Sequence, residues 1–154
     1  MKTLLVILLS IGLAISAFNP PSLGVEFLNN SNFNNKISKG IVVVEYWAEW
    51  NKSNQFVELE KLKDCTVYRA CIAKCSDAAG KYKIKAVPTV IIYDNGEEVE
   101  RFTPNIMLQL EASKSDVQSA IDEIVLNKFQ EYEEDKITYS FISILCWGNV
   151  STCS

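Results

Sequence analysis

Two apolar runs constrain the fold of this chain more than any other feature of its 154 residues. Residues 41–47 read Ile-Val-Val-Val-Glu-Tyr-Trp, and residues 87–93 read Val-Pro-Thr-Val-Ile-Ile-Tyr. β-branched and aromatic residues favour strands, and a nearly continuous apolar run is typical of a strand that is covered on both faces. We therefore expect a central sheet with helices packed on both of its faces.

The other predicted elements alternate around these two strands. Asp94-Asn95-Gly96 is a strong hairpin signal, so the strand before it should pair with an antiparallel strand after it. A capping box at Ser115–Gln118 predicts the start of the last helix. In chain order, we expect a strand at 25–28, a helix at 33–38, a strand at 41–47, a helix from Asn51 or Ser53 to Lys63, a strand at 66–73, a helix at 76–82, strands at 87–93 and 97–102, and a helix from 115 to 129.

Three stretches in this order resemble the thioredoxin family. Val44–Trp50 resembles the strand and loop that lead into a thioredoxin active site. Lys81–Thr89 resembles the segment that holds the family's cis-proline, and Asn95-Gly96 lies where the family has its hairpin. The resemblance covers residues 24–130. It implies an α/β thioredoxin fold, with a central mixed sheet of four to five strands flanked by helices on both faces.

The chain departs from that family immediately after Trp50. Thioredoxins have Cys-x-x-Cys there, at the start of a helix, whereas this chain has Asn51 and Asn54 at the two cysteine positions. Disulfide exchange needs a thiolate that attacks and a second thiol that resolves the mixed disulfide. Because an amide does neither, we predict no catalytic residue here and no ordinary oxidoreductase activity. The helix is also expected to be about two turns shorter than the corresponding helix of the family. This chain lacks the proline that the family has in the middle of that helix.

The resemblance also implies a buried ion pair and a peptide groove. Glu45 occupies the position of the family's buried acid, and counting back from Pro88 without gaps places Arg69 beside it. The pair is expected to be structural, because there is no thiol for the acid to serve. The family's groove is formed by the residue before the cis-proline and by the active-site loop. The groove candidates are Trp50, Asn51, Asn54, Val87 and Pro88.

The five cysteines allow several arrangements. Cys71 and Cys75 are four residues apart, which is too far for a disulfide along an extended strand unless the strand bends or ends near residue 73. Cys75 is the candidate free thiol. Cys146 and Cys153 flank Gly148-Asn149, so a local disulfide between them is possible, with Cys146 paired to Cys75 or Cys65 as the alternative.

The first 17 residues indicate export. Lys2 precedes an apolar run of about 12 residues, too short to span a bilayer, and the run ends in small residues before a proline pair. We expect a signal peptide at 1–17, a thioredoxin-like domain at 18–131 and a C-terminal extension at 132–154. The protein is expected to be secreted, periplasmic or in the lumen of the secretory pathway, or membrane-anchored if the signal is not cleaved.

The C-terminal extension begins with a charged stretch at 132–136, expected to be a linker. An apolar segment at 137–147 follows, which fits an extra strand, a short helix or a docking segment for a partner. Eleven residues cannot span a membrane, so no span is expected after signal cleavage.

These observations favour a polypeptide-binding, chaperone-like or structural role, with another polypeptide as the partner. The alternatives are a divergent thiol–disulfide oxidoreductase that uses Cys75 with another cysteine, and a structural component of a larger complex or particle. The formal net charge of −4 and the absence of a basic cluster argue against a nucleic-acid partner. The chain has no histidine, which excludes histidine-based metal sites and proton shuttles. No cofactor is expected.

Overall fold

The computed structural model describes the backbone of residues 24–147 and the side chains of residues 24–133 and 136. Five strands form one mixed sheet in the order β1-β3-β2-β4-β5. The strands β1, β3 and β2 are mutually parallel, while β4 is antiparallel to β2 and β5 is antiparallel to β4. The predicted mixed sheet is confirmed. The strands are β1 (Glu26–Leu28), β2 (Ile41–Trp47), β3 (Thr66–Cys71), β4 (Thr89–Asp94) and β5 (Glu97–Phe102).

The two apolar runs form the centre of this sheet because their side chains point alternately to two cores. Val42, Val44 and Tyr46 of β2 belong to one buried cluster, and Val43 between them belongs to the other. The same alternation holds in β4, where Ile91 and its neighbours face opposite sides. A strand covered on both faces requires apolar side chains at both parities, which explains the continuous runs.

Within the described residues, three α-helices cover the two faces of the sheet. The short helices α1 (Phe33–Ile37) and α2 (Ser76–Lys81) pack on one face through buried residues that include Phe33 and Ala78. The long helix α3 (Lys114–Trp147) packs on the other face through Val117, Ile121 and Ile124. These are three of the residues that the helical spacing predicts to point inward.

The α-helix predicted after Trp50 is wrong. The chain instead forms two short 3₁₀ helices, Glu49–Asn54 and Leu59–Lys61. Gln55 between them has extended backbone angles, φ −57° and ψ 147°. Phe56, Leu59 and Leu62 are buried in one cluster, as predicted for one helix face. The segment thus buries the expected side chains without the expected helix.

The turn predicted at Asp94–Gly96 is confirmed. Asn95 and Gly96 have φ angles of 50° and 92°, the left-handed pair that a type I′ hairpin requires. The turn is also tied to the loop before β2, because the Gly40 N–H donates to Asn95 Oδ1 at 2.9 Å. This contact fixes the hairpin against the start of the central strand.

Helix α3 differs from the prediction at both ends. Its capping box is formed by Ser113 and Asp116, whose side chains each accept the other's backbone N–H, and not by Ser115–Gln118. The helix continues through 132–136, where the charge pattern predicts a linker, and its backbone stays helical to Trp147. The boundary at residue 131 between the thioredoxin-like domain and the C-terminal extension stays a prediction.

Two predictions concern residues that the structure does not describe, since residues 1–17 and Cys153 lie outside the described residues. Over the described range, no helix is both long enough and apolar enough to cross a membrane.

Candidate functional site

The candidate site lies where β2 ends and β4 begins. Trp47 ends β2, and the 3₁₀ helix that follows carries Trp50, whose side chain is 67% exposed. On the neighbouring strand, the Val87–Pro88 peptide bond is cis and leads into β4. The pairing of β2 with β4, with Tyr46 opposite Thr89, brings these two loops together at one edge of the sheet.

Asn51 and Asn54 form a network of amides at this edge. Asn51 is only 7% exposed, and its Nδ2 donates to Val87 O at 2.7 Å and to Leu108 O at 3.2 Å. Asn54 Nδ2 donates to Asn51 Oδ1 at 2.8 Å and to Leu108 O at 3.1 Å. The two asparagines therefore join three separate loops of the chain. We call these four hydrogen bonds the amide network.

The amide network changes what the predicted groove offers to a partner. The resemblance assigns the N–H and C=O of Val87 to an extended peptide. Here the Val87 C=O already accepts the Asn51 amide, and Val87 is buried. A partner at this site would therefore depend mainly on the exposed side chains around Pro88.

A small apolar hollow of about 130 Å³ opens beside the amide network. Trp50 forms one wall, and Leu108 lies on the turn that the two asparagines hold. The same turn exposes two apolar side chains, Ile106 (99% exposed) and Met107 (69% exposed). We call this cavity the Trp50 hollow. It is lined by Trp50, Ile72, Ile84, Lys85, Ala86, Val87 and Leu108.

Beneath the site, the structure brings Glu45 and Arg69 together. They are directly opposite each other on β2 and β3, and Arg69 Nε donates to Glu45 Oε2 at 2.7 Å. Glu45 is fully buried, and its Oε1 accepts the Phe56 N–H at 2.6 Å. Arg69 also donates to the Phe56 carbonyl at 3.1 Å. Burial raises the pKa of Glu45, while the hydrogen bonds from Arg69 and Phe56 oppose that rise.

The family model described as Thioredoxin matches residues 24–123. The chain belongs to the thioredoxin family. The thioredoxin of Chlamydia trachomatis serovar D is 29% identical to it over 83 residues, covering 50% of this chain and 81% of that protein. The thioredoxin of Staphylococcus epidermidis is 30% identical over 81 residues, covering 48% of this chain and 78% of that protein.

Solved thioredoxin structures show the same fold. The thioredoxin of Malassezia sympodialis superposes with a TM-score of 0.51 at 24% identity, covering 64% of this chain and 91% of that chain. A mutant thioredoxin from Halobacterium salinarum gives the same TM-score of 0.51 at 19% identity, covering 64% of this chain and 88% of that chain. These similarities support the predicted thioredoxin fold and carry no information about activity.

Of the described thiols of this thioredoxin-family chain, namely Cys65, Cys71 and Cys75, none takes part in the amide network. The strand β3 ends at Cys71, and the chain turns so that the Cys75 N–H donates to Cys71 O at 2.8 Å. The two cysteines thus share one turn of the backbone rather than an extended strand. They form no disulfide with each other or with Cys65.

Cys75, the candidate free thiol, is fully buried, and its Sγ donates to Leu28 O at 3.0 Å. Burial raises the pKa of Cys75 to about 11, and burial raises the pKa of Cys65 to about 11 as well. A thiol with so high a pKa is a poor nucleophile at neutral pH. The predicted local disulfide joins Cys146 to Cys153. The Cys146 side chain and the whole of Cys153 lie outside the described residues, so this disulfide stays a prediction.

Sequence reasoning missed the contribution of the 105–109 turn. The segment 103–113 has no clear periodicity, so its place beside the asparagines could not be predicted. The available signal was Pro104-Asn105, since both residues favour turns. Asn105 Oδ1 accepts the N–H groups of Met107 and Gln109, which shapes the turn and presents the Leu108 carbonyl to the amide network.

Proposed function

We propose that this protein is an exported thioredoxin-family module that binds another polypeptide and performs no disulfide exchange at the family's usual site. The observation that carries the proposal is the amide network. Where the family has its two cysteines, Asn51 and Asn54 donate hydrogen bonds that hold the Val87 and Leu108 loops in place. The site is therefore occupied by groups that stabilise the loops and cannot exchange electrons.

The surroundings of the site support a binding role. The Trp50 hollow presents an exposed tryptophan next to the exposed apolar turn of Ile106 and Met107. Aromatic and methionine side chains are enriched at protein interfaces, where they bury large apolar area. Because the amide network fixes the loops, this surface is formed before a partner arrives, and preorganisation reduces the entropic cost of binding.

Binding of an unfolded polypeptide tests this role. The probe is reduced, carboxymethylated insulin B chain, and its affinity is measured for the wild-type protein and for Trp50→Ala. We expect Trp50→Ala to weaken binding by about tenfold or more, since truncating an aromatic residue at the centre of an interface costs about 2 kcal/mol. The control is Leu126→Ala, which removes an exposed apolar side chain from α3. Equal affinities for all three proteins would remove the Trp50 hollow from the proposal.

A thiol oxidoreductase is the competing function, and one contact favours it. Cys71 and Cys75 share a backbone turn, so a pair of thiols is available near the end of β3. An insulin-reduction assay with dithiothreitol distinguishes the two functions, using the wild-type protein, Cys75→Ser and Cys71→Ser. We expect no acceleration by any of them. Turnover that requires Cys75 would establish the oxidoreductase and overturn the redox-inactive proposal.

Export depends on residues 1–17 and is tested separately. The full chain is produced with its own N-terminus in a secreting host, and the N-terminal residue of the product is determined. We expect Phe18, because cleavage after Ala17 fits the small residues at that position. A product that stays inside the cell with Met1 intact would contradict export.

A further inference from the structure

A second, larger cavity adjoins the Trp50 hollow. It has a volume of about 680 Å³ and lies between the segment that follows α2 and the end of β5. A cavity of this size accommodates a ligand or a short stretch of peptide. We call it the lysine cleft, because Lys81, Lys83 and Lys85 all line it. These three residues are the cleft lysines.

The charge of the lysine cleft is strongly positive although the whole chain has a net charge of −4. Among the described residues, none of the cleft lysines forms a salt bridge, and all three are exposed. Glu98 is the only acidic residue in the described lining, and it is engaged by Arg101. Three lysine charges are therefore left to attract an anion.

The cleft lysines lie in one short stretch, Lys81-Tyr82-Lys83-Ile84-Lys85, where they alternate with apolar residues. The sequence does not show that this stretch lines a cavity together with Arg101. Arg101 also holds the segment in place. Its guanidinium donates to both carboxylate oxygens of Glu98 at 2.7 Å and to the Tyr82 carbonyl at 2.8 Å. The lysines thus extend from a fixed backbone.

The lysine cleft and the Trp50 hollow are adjacent. Lys85 and Ala86 line both cavities, so an extended chain that places a side chain beside Trp50 can pass Lys85 as it leaves. This adjacency favours a polypeptide over a small anion, because one chain can reach both cavities at once.

We propose that the partner is a polypeptide segment in which an apolar residue is followed or preceded by acidic residues, the apolar residue in the Trp50 hollow and the acidic residues in the lysine cleft. This inference rests on the proposed polypeptide-binding function and specifies the chemistry of the partner. The apolar contact supplies affinity, and the charged contacts select acidic partners and accelerate association.

Two matched peptides test the proposal by fluorescence anisotropy. In the acidic peptide, a short leucine run is followed by a run of glutamates; in the neutral peptide, glutamines replace the glutamates. The protein is the full chain, either wild type or with the cleft lysines replaced together (Lys81→Gln, Lys83→Gln and Lys85→Gln). The control replaces three exposed lysines outside both cavities, Lys39→Gln, Lys63→Gln and Lys74→Gln, so that the net charge changes equally.

We expect the cleft variant to bind the acidic peptide about tenfold more weakly than wild type, since each exposed ion pair contributes about a factor of two. The control variant should bind it as wild type does, within about twofold, because distant exposed charges are screened. The neutral peptide should bind both variants with wild-type affinity. Added salt should weaken the acidic complex alone.

Other outcomes would overturn the inference in distinguishable ways. If Trp50→Ala weakens both peptides while the cleft variant weakens neither, polypeptide binding stands and the acidic partner is wrong. If inorganic phosphate binds the wild-type protein at constant ionic strength while the acidic peptide binds no more tightly than the neutral peptide, the cleft is a small-anion site and the acidic polypeptide occupant is wrong. If neither peptide nor the insulin B chain binds, the proposed function itself fails.

Discussion

Replacing Glu45 with leucine should destabilise this protein severely, and replacing Arg69 as well should restore part of the loss. In Glu45→Leu, the Arg69 guanidinium, only 13% exposed, loses its counter-ion. An unpaired charge at such a site costs about 3 kcal/mol, the lower end of the range for a broken buried pair. The Phe56 N–H, which donates to Glu45 at 2.6 Å, also loses its acceptor, at a cost of about 1–2 kcal/mol. The expected total is about 4–5 kcal/mol.

The double variant Glu45→Leu/Arg69→Leu contains no unpaired charge, and only the Phe56 N–H remains unsatisfied, because the Phe56 carbonyl still accepts the Leu59 N–H at 3.3 Å. Its expected loss is about 1–2 kcal/mol, which makes it more stable than Glu45→Leu alone. Urea unfolding followed by tryptophan fluorescence measures the free energy of unfolding of wild type, both single variants and the double variant. Glu45→Gln, which keeps an acceptor for Phe56, provides a measurable value if Glu45→Leu does not fold.

The reasoning is refuted if the losses of the two single variants simply add in the double variant. Additivity would mean that Glu45 and Arg69 stabilise the fold independently, although they are in direct contact. A change in the m-value between variants would instead report a changed unfolded state, so the comparison uses variants with equal m-values.

Because burial raises the pKa of Cys75 to about 11, iodoacetamide should not label it in the native protein at pH 8, and labelling should appear on unfolding in urea. Asn51→Ala should lower the free energy of unfolding, measured in urea, by about 1–3 kcal/mol, because two hydrogen bonds are lost. Asn51→Asp should lower it further, because a carboxylate would face the two carbonyls to which the amide now donates. Hydrogen bonds from Ser113 lower the pKa of Asp116 in the folded protein. The ionised side chain therefore stabilises the fold at any pH above the pKa that Asp116 has in the unfolded chain, and this stabilisation is lost as the pH falls through the pKa of the folded protein. Asp116→Asn should therefore flatten the fall of the urea midpoint as the pH drops below about 4, the pKa of an aspartate in the unfolded chain, and an unchanged slope would contradict this.

The strands and their order could be predicted because local preference and burial agree in them. Residues 41–47 and 89–93 are strand-forming at nearly every position and are buried on both faces. The segment after Trp50 could not be predicted in the same way. The apolar spacing of Phe56, Leu59 and Leu62 fits a helix face, but the same three side chains are buried with Phe56 before and Leu62 after the short 3₁₀ helix Leu59–Lys61. Apolar spacing indicates which residues are buried and leaves the backbone conformation open over so short a segment.

At the end of α3, the sequence predicts a linker where the structure has a helix. The charge of residues 132–136 predicts a linker, yet glutamate and lysine are good helix formers. With α3 already in place, these residues extend it without the cost of starting a new helix. Charge is thus a guide to exposure and a poor guide to backbone conformation.

Parts of the candidate site could be located from the sequence and others could not. Gap-free counting from Pro88 places Arg69 opposite Glu45, and the strand register has them there. The two asparagines are identified by position, but their hydrogen-bond partners depend on the 105–109 turn, which no periodic pattern places. The lysine cleft likewise depends on how the segment after α2 bends around Arg101.

The persistence of a buried acid in a chain without the family's cysteines has a structural explanation. In the family, the acid moves protons for a buried thiol, and here no thiol stands at that position. The segment after Trp50 forms two 3₁₀ turns, and Phe56 lies between them with its N–H inside the protein and without a helical partner. Glu45 accepts that N–H, while the Phe56 C=O accepts the Leu59 N–H at 3.3 Å and receives Arg69 as a second donor. Since a buried backbone group without a partner is costly, Glu45 replaces the hydrogen bond that a helix would have supplied to the Phe56 N–H. A buried acid that moves protons in the family thus satisfies a backbone group here, so we expect that cysteines placed at Asn51 and Asn54 would not make Glu45 free to act as a proton carrier.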